Sequence, residues 1–369
     1  MAAKQIVTSD TSRQSVLSGV SVLDGVVEVI GKTIYHILVK LKPRVFPLFQ
    51  TERILTIRSV SAGVTAKLLA PADHNLDVYQ TLYPLYDKRF PLLASIVSRH
   101  RPQSTLIDVG ANIGDSVALC RMAGCTSKII AVEPSERFFG YLRKNAANNQ
   151  ILFDQVQCIN AFIGRDMDNL VLLERKGTAQ LIEQALASSA SPSDRHSSGS
   201  SIPTLSLSEL NAGDVGLVKT DTDGCDAEIL SANFDWVLEH QPIIWAEAEV
   251  KSVKSLNKWI SLINRMDCHV YSHAIAFDNY GYAVAHGGLL EMKPLISSIL
   301  QYIHGHVVSS SGGFGPTTIF YLDLAFFPRT DRDIYDEFHS RLAEFACNGV
   351  MDSSALSVTQ EARPTSVNS

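Results

Sequence analysis

An acidic residue followed by a glycine-containing turn is the first feature of this sequence with a clear chemical use. Asp108 lies in the apolar run TLIDV (105–109), and Gly110, Asn112 and Gly114 follow in DVGANIG. Gly110 lacks a Cβ and would let the turn approach a ligand closely, and Gly114 would let the following helix pack near the strand. The Asp108 carboxylate suits a cationic group such as an aminoacyl ammonium. A glycine turn with only a structural role is the alternative.

Glu133 is a second acid at the end of an apolar run, KIIAVE (128–133). An ionised carboxylate accepts two hydrogen bonds and can therefore bind both hydroxyls of a ribose. Asp108 and Glu133 together predict a positively charged nucleoside as ligand. A dinucleotide is disfavoured, because the glycines do not follow the G-x-G-x-x-G pattern and Asp108 would repel a pyrophosphate.

A third group of charged residues lies in LVKTDTDGCDAEIL (217–230). Lys219, Asp221 and Asp223 alternate, so a regular strand would place them on one side, until Gly224 turns the chain. A carboxylate there would accept a proton from an acceptor or orient its hydroxyl. We favour such a role for Asp221. For Asp223, catalysis and capping of the next helix are equally supported, and pairing of the acids with Lys219 is a further structural alternative.

These segments together resemble one known family. TLIDVGANIGDSVALC, IIAVEPSERFFGYLRKNAANN and LVKTDTDGCDAEIL are similar to the FkbM-type methyltransferases, as are AFDNYGY (276–282) and YLDLAFFP (321–328). The resemblance covers residues 80–335. It implies a class I methyltransferase fold, S-adenosyl-L-methionine as methyl donor, and transfer to a hydroxyl oxygen. Many relatives act on sugars of surface glycans or on secondary metabolites.

The resemblance also assigns roles to single residues. It places four residues of the first turn around the methionine part of the cofactor, namely Asp108, Gly110, Asn112 and Gly114. It places Glu133 on the ribose and Asn160, or Ala161, near the adenine. Lys219, Asp221 and Asp223 lie beside the expected methyl position as candidate catalytic residues. Asp223 and Asp226 stand where the family has glutamates, so the acceptor geometry of this chain departs from the family pattern.

Short apolar runs alternate with helical segments from residue 100 onward, which predicts a parallel sheet of βαβ units. Strands are predicted at 105–109, 128–133, 155–163, 215–221, 242–247, 268–277 and 317–326. One helix is predicted from Asp115 or Ser116 to Gly124, and another begins at Pro134 and Ser135. The expected fold is α/β, a class I methyltransferase (Rossmann-like) doubly wound sheet of seven strands with a helical N-terminal extension.

The domain prediction has three parts: an N-terminal extension (1–99), a methyltransferase domain (100–335) with a mobile Ser-rich loop (187–201), and a C-terminal helix with a disordered tail (336–369). A Gly-rich loop is also predicted at 309–316. Within the extension, residues 16–41 carry a charged or histidine side chain at every fourth position from Asp24 to Lys40. This spacing predicts an amphipathic helix and not a membrane span. Packing of that helix on its own domain is preferred, and peripheral membrane contact is the alternative.

Composition excludes several classes of protein. The net charge is −6 and no Lys or Arg stripe is present, so no nucleic-acid partner is expected. The six cysteines are scattered, which argues against a disulfide framework or a zinc site, and with no signal-peptide pattern the expected location is cytoplasmic. His304 and His306 lack further ligands in the sequence, so no metal is expected.

The sequence therefore predicts an S-adenosylmethionine-dependent O-methyltransferase acting on a hydroxyl of a sugar, a glycan or a small metabolite. A catalytically silent nucleoside-binding module of the same fold is the alternative, and a nicotinamide oxidoreductase is disfavoured. The sequence leaves the identity of the acceptor and the oligomeric state open.

Overall fold

The computed structural model describes residues 52–61, 63–164, 170–175, 178–183, 203–309 and 321–348. The strands are β1 (Glu52–Arg58), β2 (Thr65–Pro71), β3 (Thr105–Val109), β4 (Lys128–Val132), β5 (Val156–Ile159), β6 (Phe162–Ile163), β7 (Leu170–Arg175), β8 (Thr178–Glu183), β9 (Thr204–Leu205), β10 (Val215–Thr220), β11 (Ile243–Glu249), β12 (Tyr271–Asp278), β13 (Ala283–Gly288) and β14 (Tyr321–Pro328). The helices are α1 (Leu76–Leu82), α2 (Arg89–His100), α3 (Asp115–Met122), α4 (Glu136–Asn148), α5 (Asp226–Ala232), α6 (Phe234–His240), α7 (Val253–Arg265), α8 (Leu289–Ser309) and α9 (Arg332–Asn348).

The central sheet has eight strands in the order β13-β12-β14-β11-β10-β3-β4-β5. Strands β5, β4, β3, β10 and β11 are parallel, whereas β14 is antiparallel to both of its neighbours. The chain moves outward from β3 through β4 to β5 and then returns to β10, so the strand order reverses between β3 and β10. Ligands of doubly wound sheets bind at such a switch point, beyond the carboxyl ends of the strands.

The strands are apolar because helices cover both faces of the sheet. Every residue of β3 and of β10 is buried. Their side chains alternate between two hydrophobic clusters, one on each face: Leu106 belongs to the cluster with α2, α3 and α4, and Ile107 to the cluster with α5, α7 and α8. Asp108 of β3 and Lys219 of β10 interrupt this pattern and lie toward the carboxyl ends of the two strands, where the switch point is.

The segment before β3 packs into the same core as the sheet. Strands β1 and β2 form an antiparallel hairpin, and Leu55, Ile57 and Leu68 from it lie in one cluster with residues of α3 and α4. The buried Asn145 of α4 donates to the carbonyls of Leu69 and Ile113 and accepts from the Leu69 amide. The core therefore continues across residue 100, where the sequence placed the start of the methyltransferase domain.

Most predicted elements are found where the sequence placed them. The helix expected from Asp115 or Ser116 is α3, with Gly114 at its N-cap and Gly124 at φ +92° just after its end. The Ser135 hydroxyl caps α4 by accepting from the Phe138 amide. The expected fold class is confirmed.

Two details of the sheet differ from the sequence prediction. The expected third strand, 155–163, is divided, because its second part leaves β4 and pairs with β9 in a separate small sheet. The central sheet has eight strands and not seven, because β13 adds an antiparallel edge strand to β12.

Several predicted features lie outside the described residues: the amphipathic segment 16–41, the Ser-rich loop 187–201, most of the Gly-rich loop 309–316 and the C-terminal tail. Among the residues that are described, no helix combines the length and the apolar composition needed to cross a membrane.

Candidate active site

Asp108 and Lys219 form a buried ion pair at the switch point. They are paired in register on β3 and β10, and Lys219 Nζ lies 3.1 Å from Asp108 Oδ1. The Ser116 hydroxyl donates to the other Asp108 oxygen, and Lys219 Nζ also lies 3.1 Å from Asp221 Oδ2. Burial alone would lower the pKa of Lys219, but the carboxylates of Asp108 and Asp221 outweigh it and raise the pKa well above its usual value.

Glu133 follows β4 and is held by the backbone of two turns. One carboxylate oxygen accepts from the Asn112 amide at 2.9 Å, and the other accepts from the Ser135 amide at 2.8 Å. The residue is 3% exposed, and burial raises the pKa of its carboxyl to about 8 despite these two amides. Each oxygen has a second lone pair, so the side chain can still accept hydrogen bonds from a ligand.

A crevice opens between these turns and the end of β10. Its polar lining includes Asn112, Glu133, Asp221 and Asp223, and its apolar lining comes from Val109, Pro134, Ala161, Phe162, Ile163 and Ile229. Most of the apolar lining residues follow Glu133 in the sequence. The crevice thus combines carboxylates suited to hydroxyl or cationic groups with an apolar surface suited to a flat ring.

Two residues predicted to contact the cofactor have side chains that interact with other groups of the protein. Asp108 is 1% exposed, its oxygens engage Lys219 and Ser116, and it is outside the crevice lining found among the described residues. Asn160 donates to the carbonyls of Glu133 and Pro134 at 2.8 and 3.0 Å. Ala161, named as the alternative to Asn160, lines the crevice. The contact of Asp108 or Asn160 with cofactor stays a prediction.

The two glycines of the first turn are required by protein contacts. Gly110 has φ +84°, and a Cβ there would lie 1.9 Å from the carbonyl oxygen of Asp221. Gly114 has φ +86°, and a Cβ there would lie 2.7 Å from the Leu142 side chain and 2.9 Å from Phe153. Gly110 therefore lets the end of β10 approach the turn, which differs from the sequence argument that it makes room for a ligand.

The acids after β10 have separate roles. Asp221 is 48% exposed at its side chain, beside Lys219. Asp226 is fully buried and accepts from the Thr222 hydroxyl at 3.0 Å, so it fixes the turn before α5. Asp223 has φ +53°, lies beyond the end of β10, just before Gly224, and lines the crevice. Burial, and then the carboxylates of Asp221 and Glu249, raise the pKa of Asp223 to about 7.

Further acids come from the neighbouring strands. Glu247 on β11 is paired in register with Asp323 on β14. Burial, and then Asp221 and Asp223, raise the pKa of Glu247 well above its usual value. Oxygen atoms of Asp223, Glu247 and Glu249 all lie within 4.8 Å of one another, a donor set of the type that hard cations bind. Such acidic clusters are also common without an ion.

The central sheet has the class I methyltransferase fold. Residues 108–284 match the family model described as the methyltransferase FkbM domain. The chain therefore contains a methyltransferase domain of the FkbM family, and the protein is an S-adenosylmethionine-dependent methyltransferase. The resemblance noted in the sequence is confirmed by this match.

Solved structures similar to this chain include three methyltransferases. An FkbM methyltransferase from Methylobacillus flagellatus has 12% identity and a TM-score of 0.30, and the match covers 69% of this chain and 52% of that one. A precorrin-6y C5,15-methyltransferase from Geobacter metallireducens has 13% identity and a TM-score of 0.30, covering 64% and 87%. An O-methyltransferase from Bacillus cereus, in complex with SAH, has 12% identity and a TM-score of 0.33, covering 64% and 80%. The comparison with curated proteins gives no match.

The crevice fits the cofactor that the family implies. Glu133 offers two oxygens, each with one lone pair beyond its backbone hydrogen bond, and a ribose has two adjacent hydroxyls to donate. The apolar lining from Pro134 to Ile163 suits the adenine ring. The excess of carboxylates over lysines suits a sulfonium cation. The residues around the crevice are therefore compatible with S-adenosylmethionine.

Sequence reasoning did not identify Asp323 or Tyr86, both of which interact electrostatically with Asp221. Asp323 reaches the site because β14 runs antiparallel between β11 and β12, a register that the alternating pattern in YLDLAFFP cannot reveal. Tyr86 lies between α1 and α2, in a segment with no recognisable motif. Glu247 could be suspected from its position at a strand end, but not its proximity to Asp223.

Proposed function

We propose that the protein transfers a methyl group from S-adenosylmethionine to a hydroxyl oxygen of a sugar-like acceptor. The observation that carries this proposal is the position of Asp221 and Asp223, which share one crevice with Glu133 at the carboxyl end of β10. In this arrangement a nucleoside bound by Glu133 has its reactive part near two carboxylates. Bound S-adenosylmethionine supplies a methyl group on a positively charged sulfur.

Asp221 is suited to orient the acceptor hydroxyl. Its carboxylate is half exposed and faces Lys219 on one side, so the lysine fixes its position. An ionised carboxylate accepts hydrogen bonds and donates none, and therefore aligns a hydroxyl hydrogen toward itself. The hydroxyl oxygen then has a free lone pair to direct at the methyl carbon.

Asp223 is suited to take the hydroxyl proton. A general base works best when its pKa lies near the operating pH, and the pKa of Asp223 is raised to about 7. The Asp223 carboxylate would take the proton of the acceptor hydroxyl and pass it to solvent as the oxygen receives the methyl group, so that a methyl ether and the uncharged thioether of the cofactor would result. Lys219, held between Asp108 and Asp221, acts as a positioning residue.

Donor turnover on a panel of hydroxylated compounds tests the proposal. The purified full-length protein is incubated with S-adenosylmethionine and neutral glycosides, phenols, amines or carboxylic acids, and products are identified by their mass and by the methylated atom. We expect methyl ethers of glycosides. Methylation only at nitrogen or carboxylate oxygen would reject the proposal, and firm donor binding without any turnover would favour the silent nucleoside-binding module.

A further inference from the structure

A row of tyrosine rings lies beside the acidic crevice. Tyr79 on α1 stacks on Tyr86 with 5.3 Å between ring centroids and lies 6.5 Å from Tyr83. Tyr280, in the turn between β12 and β13, lies 4.7 Å from Tyr83. We call these four residues the tyrosine row. Tyr79, which lies between Tyr86 and Tyr83 in the row, is 40% exposed, so the row reaches solvent.

The two backbone segments that carry the row are clamped together. The buried Arg89 donates through Nε to the carbonyl of Gly281 at 2.9 Å. Gly281 has φ +86°, and a Cβ there would lie 2.7 Å from the carbonyl oxygen of Leu85. The Asp278 carboxylate accepts from the amides of Tyr280 and Tyr282 and closes the turn. The rings are therefore positioned by fixed backbone contacts, as a preorganised binding surface requires.

The inner end of the row meets the catalytic crevice. Four residues after Tyr86, the Phe90 ring lies 5.8 Å from the Trp245 ring of β11 and 5.8 Å from Lys219 Nζ. Tyr86 itself is close enough to Asp87, Asp221 and Glu247 that, after burial, these carboxylates raise the pKa of its phenol well above the usual value. The row thus runs from solvent to the carboxylate that we assign to the acceptor hydroxyl.

The region is crowded with carboxyl groups, namely those of Asp87, Asp221, Asp223, Glu247, Glu249 and Asp323. Burial and then neighbouring carboxylates raise the pKa of four of them, Asp87, Asp223, Glu247 and Asp323, so a further negative charge here is unfavourable. Two lysines in this region already form ion pairs. Lys219 is paired with Asp108 and Asp221, and Lys251 Nζ lies 2.6 Å from Glu249. A phosphate or a diphosphate placed here would face these carboxyl groups, while Lys219 and Lys251 are engaged by carboxylates and Arg89 by the Gly281 carbonyl, which is unfavourable.

We propose that the tyrosine row is the acceptor subsite and that it selects an uncharged pyranose ring over a phosphorylated or nucleotide-linked sugar. This inference rests on the proposed function. The flat face of a pyranose packs on the tyrosine rings, and its several hydroxyls donate to the acids at the inner end. A phenolic acceptor would also stack, but it offers one hydroxyl to a region that holds many hydrogen-bond acceptors.

Binding measured without turnover separates this inference from the proposed function. With S-adenosylhomocysteine present, saturation-transfer NMR compares a neutral methyl glycoside with the corresponding nucleotide sugar on the full-length protein. We expect transfer to the neutral glycoside and none to the nucleotide sugar. Equal or stronger binding of the nucleotide sugar, or binding of phenol alone, would overturn the inference whether or not any methyl transfer is detected.

Substitutions then locate the subsite. Tyr83→Ala and Tyr280→Ala should each raise the KM or Kd for the neutral glycoside about tenfold, a typical loss for one stacking contact, with kcat within about twofold and donor affinity unchanged. Tyr83→Phe keeps the ring and should restore the wild-type KM. Tyr302→Ala, at a 63% exposed tyrosine of α8, is the matched control. Wild-type acceptor affinity in both alanine variants would overturn the assignment of the row, and their thermal unfolding excludes a general loss of structure.

Discussion

Asp108 and Lys219 lie opposite each other on adjacent parallel strands, with 3.1 Å between Oδ1 and Nζ, and both are almost completely buried. The same ammonium group lies 3.1 Å from Asp221, so one lysine joins the acid of β3 to the acid that follows β10. A buried charge is costly when unpaired, and this geometry makes the three residues depend on one another. The site is therefore supported by an ionic network that also belongs to the core.

Replacement of Lys219 by an uncharged residue should destabilise the protein strongly. Lys219→Met leaves Asp108 buried without its ion-pair partner, and we expect a loss of about 3–5 kcal/mol in the free energy of unfolding. The double variant Lys219→Met, Asp108→Asn should recover part of this loss. Urea unfolding followed by circular dichroism measures both. Lys258→Met is the control, since its pair with Glu228 is only partly buried and should contribute about 0–1 kcal/mol. Equal losses in the two lysine variants would contradict the network.

A methyl group at Gly110 should separate β10 from the first turn. Gly110→Ala combines a left-handed backbone, which costs about 1–2 kcal/mol, with overlap against the Asp221 carbonyl, which adds about 1–3 kcal/mol. Donor affinity should fall as well, because the turn carries Asn112. Gly124→Ala has a similar φ of +92°, and its Cβ would meet only the Ser95 hydroxyl at 3.7 Å. It should show the backbone cost alone and normal donor binding, as measured by denaturant unfolding and calorimetry.

Donor binding should depend on pH through Glu133. The free protein holds this carboxyl protonated below its pKa of about 8, whereas ribose hydroxyls bind best to the ionised form. Binding below this pH therefore releases a proton, and affinity should rise with pH by as much as about tenfold per unit until it levels off above about pH 8. Calorimetry with S-adenosylhomocysteine in buffers of different ionisation enthalpy detects the proton. Glu133→Gln should bind more weakly and without this pH dependence; an unchanged profile would remove Glu133 from the ribose site.

The Asp223 carboxylate should set the pH dependence of turnover. Because its pKa is about 7, kcat should rise with pH through the neutral range as the base becomes ionised. Asp223→Asn should reduce kcat by about 10²–10⁴-fold with unchanged donor affinity. The exposed Asp235 on α6 provides the matched control, and Asp235→Asn should leave the rate unaltered. A fully active Asp223→Asn variant would show that another group accepts the proton, with Glu247 the next candidate.

The sequence predicted the scaffold of the site well because the scaffold depends on local signals. The apolar runs before Asp108 and Glu133 are the strands β3 and β4, and Ser135 caps α4 through the pattern that predicted it. Gly110 was predicted to make room for a ligand, whereas the atom that a Cβ there would meet belongs to Asp221, far away along the chain. Single-sequence patterns contain no information on such distant contacts.

The acceptor side was less predictable for the same physical reason. Asp323 meets Glu247 through an antiparallel register, and the tyrosine row is assembled from two segments about 200 residues apart, clamped by Arg89 and Gly281. Likewise, pairing of Lys219 with the acids that follow it was one of several alternatives in the sequence, whereas its pairing with Asp108 on another strand was not predicted.

The Asn145 side chain connects the N-terminal hairpin to the cofactor turn, since one amide group contacts both Leu69 and Ile113. A fragment cut to the family boundary at residue 108 would lose the hairpin and leave this amide without its Leu69 partners. The minimal unit for expression, or for exchanging segments between relatives, therefore begins before β1. Variation in the hairpin can adjust the loop that carries Asn112 without altering any residue of the crevice.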